Sequence, residues 1–282
     1  FKGYAVATIV NGKIKMKKVL FLRNQKTSSS STTCLSGELI GSQKDIKLKH
    51  IDIHCPYEEA IEKNPEFKNA FKFVNVRNPY SQAVSQMFKN LWGDGGGSGL
   101  KFDNGAFTTN SMNTPFKLEH AVETFQLIIR ACYDLKKIMQ SDNLNDVEQR
   151  ERLESWIKHA SCKPVKDRLE RININKDAYY VNALGKCGWR VYTLNDKPMV
   201  DHYIVFHKQR QSWKGLLNKL FDKSKADELF NSDLLQNHLA RSEKCLSKYD
   251  YADFYTPEIK KMVYFLRQPE IDYHKWKFNN NN

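Results

Sequence analysis

The chain has 282 residues and a mass of 32.9 kDa, 40% of them hydrophobic. That is enough for a sizeable core in one large α/β domain or two small ones, and it excludes collagen-like, coiled-coil and wholly disordered chains. Lys and Arg number 45 against 32 Asp and Glu, a formal charge of +13. This favours an anionic partner: nucleic acid, an acidic glycan, an anionic membrane or a phosphorylated cofactor.

The chain opens with Tyr4–Val10 and Lys13–Met16 flanking Asn11-Gly12, the dipeptide that supplies positive φ at both centres of a tight turn, so residues 1–17 are expected to form a β-hairpin. Lys18–Arg23 reads as a short buried strand. The polar block Asn24–Thr33 follows as a loop, and apolar spacing resumes at Cys34-Leu35, the expected helix start. The same grammar recurs at Phe71–Val76, a strand ending in Arg77-Asn78-Pro79, followed by Ala83, Val84, Met87 and Phe88 at helical spacing. Pro79 sits where a first helical turn accepts it.

Residues 93–99 (GDGGGSG) read as a mobile loop. Leu118–Met139 and Val147–His159 are expected to be amphipathic core helices. Tyr179–Val181, Arg190–Leu194 and Val200–Phe206 read as strands, Trp213–Phe221 and Pro257–Leu266 as helices, and residues 277–282 as a low-complexity tail. Strands alternating with helices predict a single α/β domain over 1–282, with a mainly parallel sheet flanked by helices. No stretch approaches the roughly 18 apolar residues of a membrane-spanning helix, so no transmembrane segment is expected. The six cysteines form no CxxC pair, which argues against a zinc ribbon or a disulfide scaffold.

Two turns suit phosphate. The first places Lys26 and six small hydroxyl residues, Thr27, Ser28, Ser29, Ser30, Ser31 and Thr32, between a strand and a helix. Unpaired N–H groups at a helix start, hydroxyl donors and one cation make an anion cradle. It is not the loop of nucleotide triphosphatases, which needs G-x-x-x-x-G-K-[ST]. The second turn offers Arg77 at a strand end and Ser85 one turn inside the next helix, a fork and a hydroxyl suited to a terminal phosphate.

VLFLRNQKTSSSST resembles the 5′-phosphosulfate loop of sulfotransferases that use 3′-phosphoadenosine 5′-phosphosulfate (PAPS), of the carbohydrate (Golgi) type and their bacterial relatives. FKFVNVRNPYSQAVSQMF resembles that family's 3′-phosphate motif. VDHYIVFHKQRQSWKGLLNKL and YADFYTPEIKKMVYFLRQPEIDYHKW are similar to its downstream segments. Gln25, Gln82 and His207 depart from the pattern.

The resemblance implies a P-loop-like sulfotransferase topology, PAPS as cofactor with adenosine 3′,5′-bisphosphate as product, and no metal. Lys26 and Thr27–Thr32 would hold the 5′-phosphosulfate, with Lys26 also catalytic, and Arg77 and Ser85 the 3′-phosphate. The uronyl 2-O-sulfotransferases, loosely similar here, carry a base histidine ahead of the 3′-phosphate Arg. His54 is the expected base, with His50 in reserve, Asp52 to orient an imidazole, and Glu58 and Glu59 as alternatives. Trp92 is expected to line an acceptor cleft.

The expected acceptor is a carbohydrate hydroxyl; a small-molecule alcohol, phenol or amine is the alternative. A non-catalytic basic polyanion-binding module is the reading from another class. No nucleic-acid partner is expected, because the basic residues are dispersed and match no nucleic-acid-binding motif. The compartment is left between the Golgi lumen, if an anchor preceded Phe1, and the cytoplasm.

Overall fold

The computed structural model describes residues 9–10, 13–14, 16–24, 27–51, 55–92, 101–103, 106–108, 116–140, 187–245 and 250–278. Strands are β1 (Ile9–Val10), β2 (Lys13–Ile14), β3 (Lys17–Leu22), β4 (Ile46–His50), β5 (Phe71–Val76), β6 (Lys101–Asp103), β7 (Ala106–Thr108), β8 (Phe116–Lys117), β9 (Thr193–Leu194), β10 (Lys197–Pro198) and β11 (His202–Val205). Helices are α1 (Ser29–Ser36), α2 (Tyr57–Lys63), α3 (Pro79–Trp92), α4 (Leu118–Gln140), α5 (Gln209–Leu220), α6 (Lys223–Phe230), α7 (Asp233–Cys245) and α8 (Pro257–His274). The chain forms two compact units. One draws on Phe1–Arg77 and Trp189–Leu246, the other on Asn78–Gly188 and Ser247–Asn281.

The first unit is α/β. Its four-stranded sheet runs β11-β5-β3-β4, and all neighbours pair in parallel, with Leu22 opposite Val74, Phe21 opposite His50 and Val76 opposite Val205. Period-two alternation sends Val19, Phe21, Phe73 and Ile204 to one face. There they meet Leu35 of α1, Leu39 and Ile40 just beyond it, and helices α5 to α7. Trp213, Leu216, Leu217 and Leu220 recur at helical intervals on α5 and supply the largest apolar stripe. On the other face Leu20, Leu22, Val74 and Val76 are fully buried, as parallel strands covered on both sides must be.

β1 and β2 pair antiparallel with Val10 opposite Lys13, as the hairpin reading expects, while Asn11 and Gly12 lie outside the described residues. Two sequence expectations are corrected. The helix after β3 begins at Ser29, inside the serine run, because the turn is completed at Ser28 and the serines form the first helical turn. Arg190–Leu194 is not one strand. A helical turn at Cys187–Arg190 is followed by a bend in which the Thr193 hydroxyl and the Tyr192 N–H donate to the Trp189 carbonyl. Asn195 and Asp196, both at positive φ, then close a two-residue hairpin between β9 and β10. The expected helix at 147–159 and strand at 179–181 lie outside the described residues.

The second unit packs α3, α4, α8 and the helical turn Tyr251–Phe254 around Tyr80, Val84, Phe125, Ile129, Val263 and Leu266. β6, β7 and β8 form a small antiparallel sheet. Asn78 Oδ1 accepts from the Tyr80 N–H and starts α3, with Pro79 in its first turn as expected. Gln82, one of the departures from the expected motif, is buried and accepts from Arg267, which also pairs with Glu270. Among the described residues, no helix is long and apolar enough to cross a membrane.

Candidate functional site

Ligands of open parallel sheets bind beyond the carboxyl ends of the strands, where strand order reverses. In the first unit the chain leaves β3 for β4 on one side and returns to β5 on the other, so the reversal falls between β3 and β5. The segments that emerge there are Arg23–Ser28 leading into α1, and Arg77 after β5.

The turn into α1 is strained at one residue. Ser28, the residue before the helix, has φ 65° and ψ 23°, the left-handed region that favours glycine. Its side chain makes no cap bond, and the first turn carries no acidic residue. The first helical bond runs from the Thr32 N–H to the Ser28 carbonyl at 3.0 Å, so the earlier amides of the turn, at the positive end of the helix, have no intrahelical acceptor.

One hydrogen bond closes this turn on itself and two tie it to the sheet. The Thr27 hydroxyl donates to the Asn24 carbonyl at 2.8 Å. Asn75 on β5 donates from Nδ2 to the Thr27 carbonyl at 2.8 Å and to Thr32 Oγ1 at 2.7 Å. Thr27, Thr32, Asn24 and Asn75 are all essentially fully buried. The hydroxyls of Thr27 and Thr32 are thus spent inside the protein, while Ser28 is half-buried and Ser30 and Ser31 are exposed. The backbone of Ser29 belongs to the turn; its side chain lies outside the described residues. Asn24 Nδ2 and Arg23 Nε are buried without a hydrogen-bond partner.

Arg77 is half-buried, and its guanidinium lies over the Phe206 ring at 4.3 Å from the centroid. An aromatic face holds a guanidinium flat by cation–π attraction and fixes its fork. His207, next along, is held below its ordinary pKa by burial, then by Lys208 and Arg77.

His50 ends β4 with its ring edge-on to Phe21, the centroids 5.9 Å apart. Its Nε2 is 3.1 Å from Ser36 Oγ, and the Ser36 hydroxyl donates to the Thr33 carbonyl at 3.3 Å. Burial, then Arg23 and Lys49, lower the pKa of His50 and keep the ring neutral at pH 7.

Lys26, Asp52 and His54 lie outside the described residues, as does the 93–99 loop. Glu58 and Glu59 stand in the first turn of α2. Ser85 is half-buried on α3, in the second unit; Trp92 ends that helix, and its side chain lies outside the described residues. Asn75, Asn24, Ser36 and Phe206 did not emerge from motif reading. Asn75 left one signal, a single amide in the otherwise apolar end of the strand FKFVNV. Compared with protein-family models, with curated proteins and with solved structures, the chain matches none.

Proposed function

We propose that the first unit binds the 5′-phosphosulfate of PAPS on the turn from β3 into α1 and the 3′-phosphate on Arg77, and that the protein transfers sulfate to an acceptor hydroxyl, carbohydrate first. One observation carries the reading: an uncapped helix start, entered through a left-handed Ser28 and pinned to β5, stands at the strand-order reversal beside Arg77. The donor set fits a polyanion, because the turn offers exposed hydroxyls at Ser30 and Ser31, no carboxylate in its first turn, and a buried amide donor without partner at Asn24.

When bound, PAPS supplies the activated sulfuryl group, whose bond to the acceptor oxygen forms as its bond to the phosphate oxygen breaks. The amides of the first turn of α1 and the Ser28, Ser30 and Ser31 hydroxyls stabilise negative charge by donation. Arg77, fixed by Phe206, distinguishes a nucleotide with a 3′-phosphate from one without. The sequence resemblance assigns Lys26 to the leaving oxygen and His54 to the acceptor proton. His50, held below its ordinary pKa by burial and by Arg23 and Lys49, is neutral at pH 7 and so meets the chemical requirement for a base in reserve. The P-loop-like topology belongs to the same proposal.

The test is a thermal-shift titration with adenosine 3′,5′-bisphosphate and, separately, ATP, on the wild type and Arg77→Ala. At about 100 times its dissociation constant, a ligand that binds only the native state adds roughly 2.7 kcal/mol of stability. A rise with the bisphosphate that Arg77→Ala abolishes and ATP does not reproduce supports the reading. No rise for the wild type at millimolar ligand defeats it and leaves the basic polyanion-binding module in its place.

A further inference from the structure

The turn whose residues would touch phosphate is held by a side chain from the neighbouring strand. We infer that Asn75 is a positioning residue that sets the phosphate turn against Arg77, an inference that rests on the reading just proposed.

Along β5 the alternation Phe71, Phe73, Asn75 places all three on the face that packs beneath α1. Where the row reaches the end of the strand, an amide replaces a hydrocarbon, at full burial. A buried amide is costly without partners, and the two hydrogens of Nδ2 are both used, at 2.8 and 2.7 Å. Their acceptors stand on opposite sides of the strained residue. Thr27 comes just before Ser28, and Thr32 supplies the N–H that makes the first helical bond back to it. One side chain thus holds both ends of the turn whose outward amides would meet the anion.

Arg77 lies only two residues further along the same strand exit. The segment that clamps the turn therefore also carries the second cationic contact, so the spacing between the two anion-binding elements is set through Asn75. A bisphosphate that engages both elements depends on that spacing, whereas a monophosphate that engages one does not. Preorganisation of this kind lowers the ordering cost of binding.

The experiment uses the full chain in four forms: wild type, Asn75→Leu, Thr32→Val and Lys17→Met. Leu keeps the branching of Asn without a donor, at a larger volume, and Val keeps the shape of Thr32 without the acceptor. Lys17→Met is the control for general destabilisation, since Lys17 Nζ bonds the carbonyls of Lys219 and Leu220 at the start of β3, the end of the strand away from the turn. Amide hydrogen exchange is read without ligand. Affinities are read by calorimetry with adenosine 3′,5′-bisphosphate and with adenosine 3′-monophosphate, which engages Arg77 and not the turn.

The expected result is faster exchange confined to residues 27–32 in Asn75→Leu and Thr32→Val. With it comes at least a tenfold loss of bisphosphate affinity and a change of less than threefold for the monophosphate, while Lys17→Met stays within twofold for both. If the wild type binds the bisphosphate and both turn variants bind it as Lys17→Met does, the positioning role is overturned and the proposed function stands. If the wild type binds neither nucleotide, the proposed function falls and the positioning role with it, even where exchange shows the clamp holding the turn. Should Asn75→Leu fail to fold, Thr32→Val decides alone.

Discussion

Lys136 Nζ lies 2.6 Å from the Phe265 carbonyl oxygen, the acceptor that Pro269 leaves without its helical donor. Proline within a helix removes the N–H that would bond the carbonyl four residues earlier. Here an ammonium from α4 replaces it and reaches the Leu266 carbonyl as well, at 3.3 Å. A charge-assisted bond of this kind contributes roughly 2 kcal/mol. Lys136→Met is expected to lower stability by about that amount, and Lys136→Met with Pro269→Ala to recover most of it, in urea unfolding curves.

Arg267 and Glu270 form an ion pair on α8, each about 1% exposed, and Arg267 also donates to Gln82 Oε1 at 2.7 Å. Removing one member of a buried pair leaves a charge that water cannot reach. Arg267→Met should therefore cost about 3 to 5 kcal/mol. Arg267→Met with Glu270→Leu should be much closer to the wild type, since both charges are then gone. A double-mutant cycle measured by denaturant unfolding gives the coupling. Additive losses would show that the pair is not coupled as the geometry requires.

Ser28 holds a backbone conformation in which a side chain carries a penalty of about 1 kcal/mol or more. Glycine removes the penalty and restores some freedom to the unfolded chain, so the net gain for Ser28→Gly is smaller, about 0.5 kcal/mol. Ser28→Val, β-branched at the same φ, should lose stability clearly. The two unfolding midpoints should move in opposite directions from the wild type.

His202 on β11 is largely buried with Nε2 at 2.8 Å from the Ser212 carbonyl oxygen, and burial lowers its pKa from 6.5 to about 4. A depressed histidine pKa means that the unfolded chain binds the proton more readily than the folded one. Stability is then level above pH 6.5 and falls as the pH drops towards 4, by roughly 3 kcal/mol for this group. His50, His207 and His274 shift in the same direction, so acid sensitivity in this window should exceed the share of His202 alone. His202→Gln keeps a donor for the Ser212 carbonyl and should flatten the curve of unfolding free energy between pH 6.5 and 4.

Much of the local structure is written in nearest neighbours. The apolar run of β3 and the whole of β5 follow from short hydrophobic segments ended by polar residues, and α4 from apolar residues at helical spacing, because period and burial are properties of a contiguous stretch. The hydroxyl-rich composition of the turn after β3 is legible for the same reason, since residue type and order alone set it. What the sequence alone left open depends on partners distant along the chain. The strand order β11-β5-β3-β4, which places Arg77 beside the turn's strand, joins segments some 130 residues apart. Asn75 meets Thr27 across 48 positions and Arg267 meets Gln82 across 185. An amide in the apolar end of a strand announces that it needs a partner, because an unpaired buried amide is costly. Only the folded arrangement decides which backbone and which hydroxyl supply that partner.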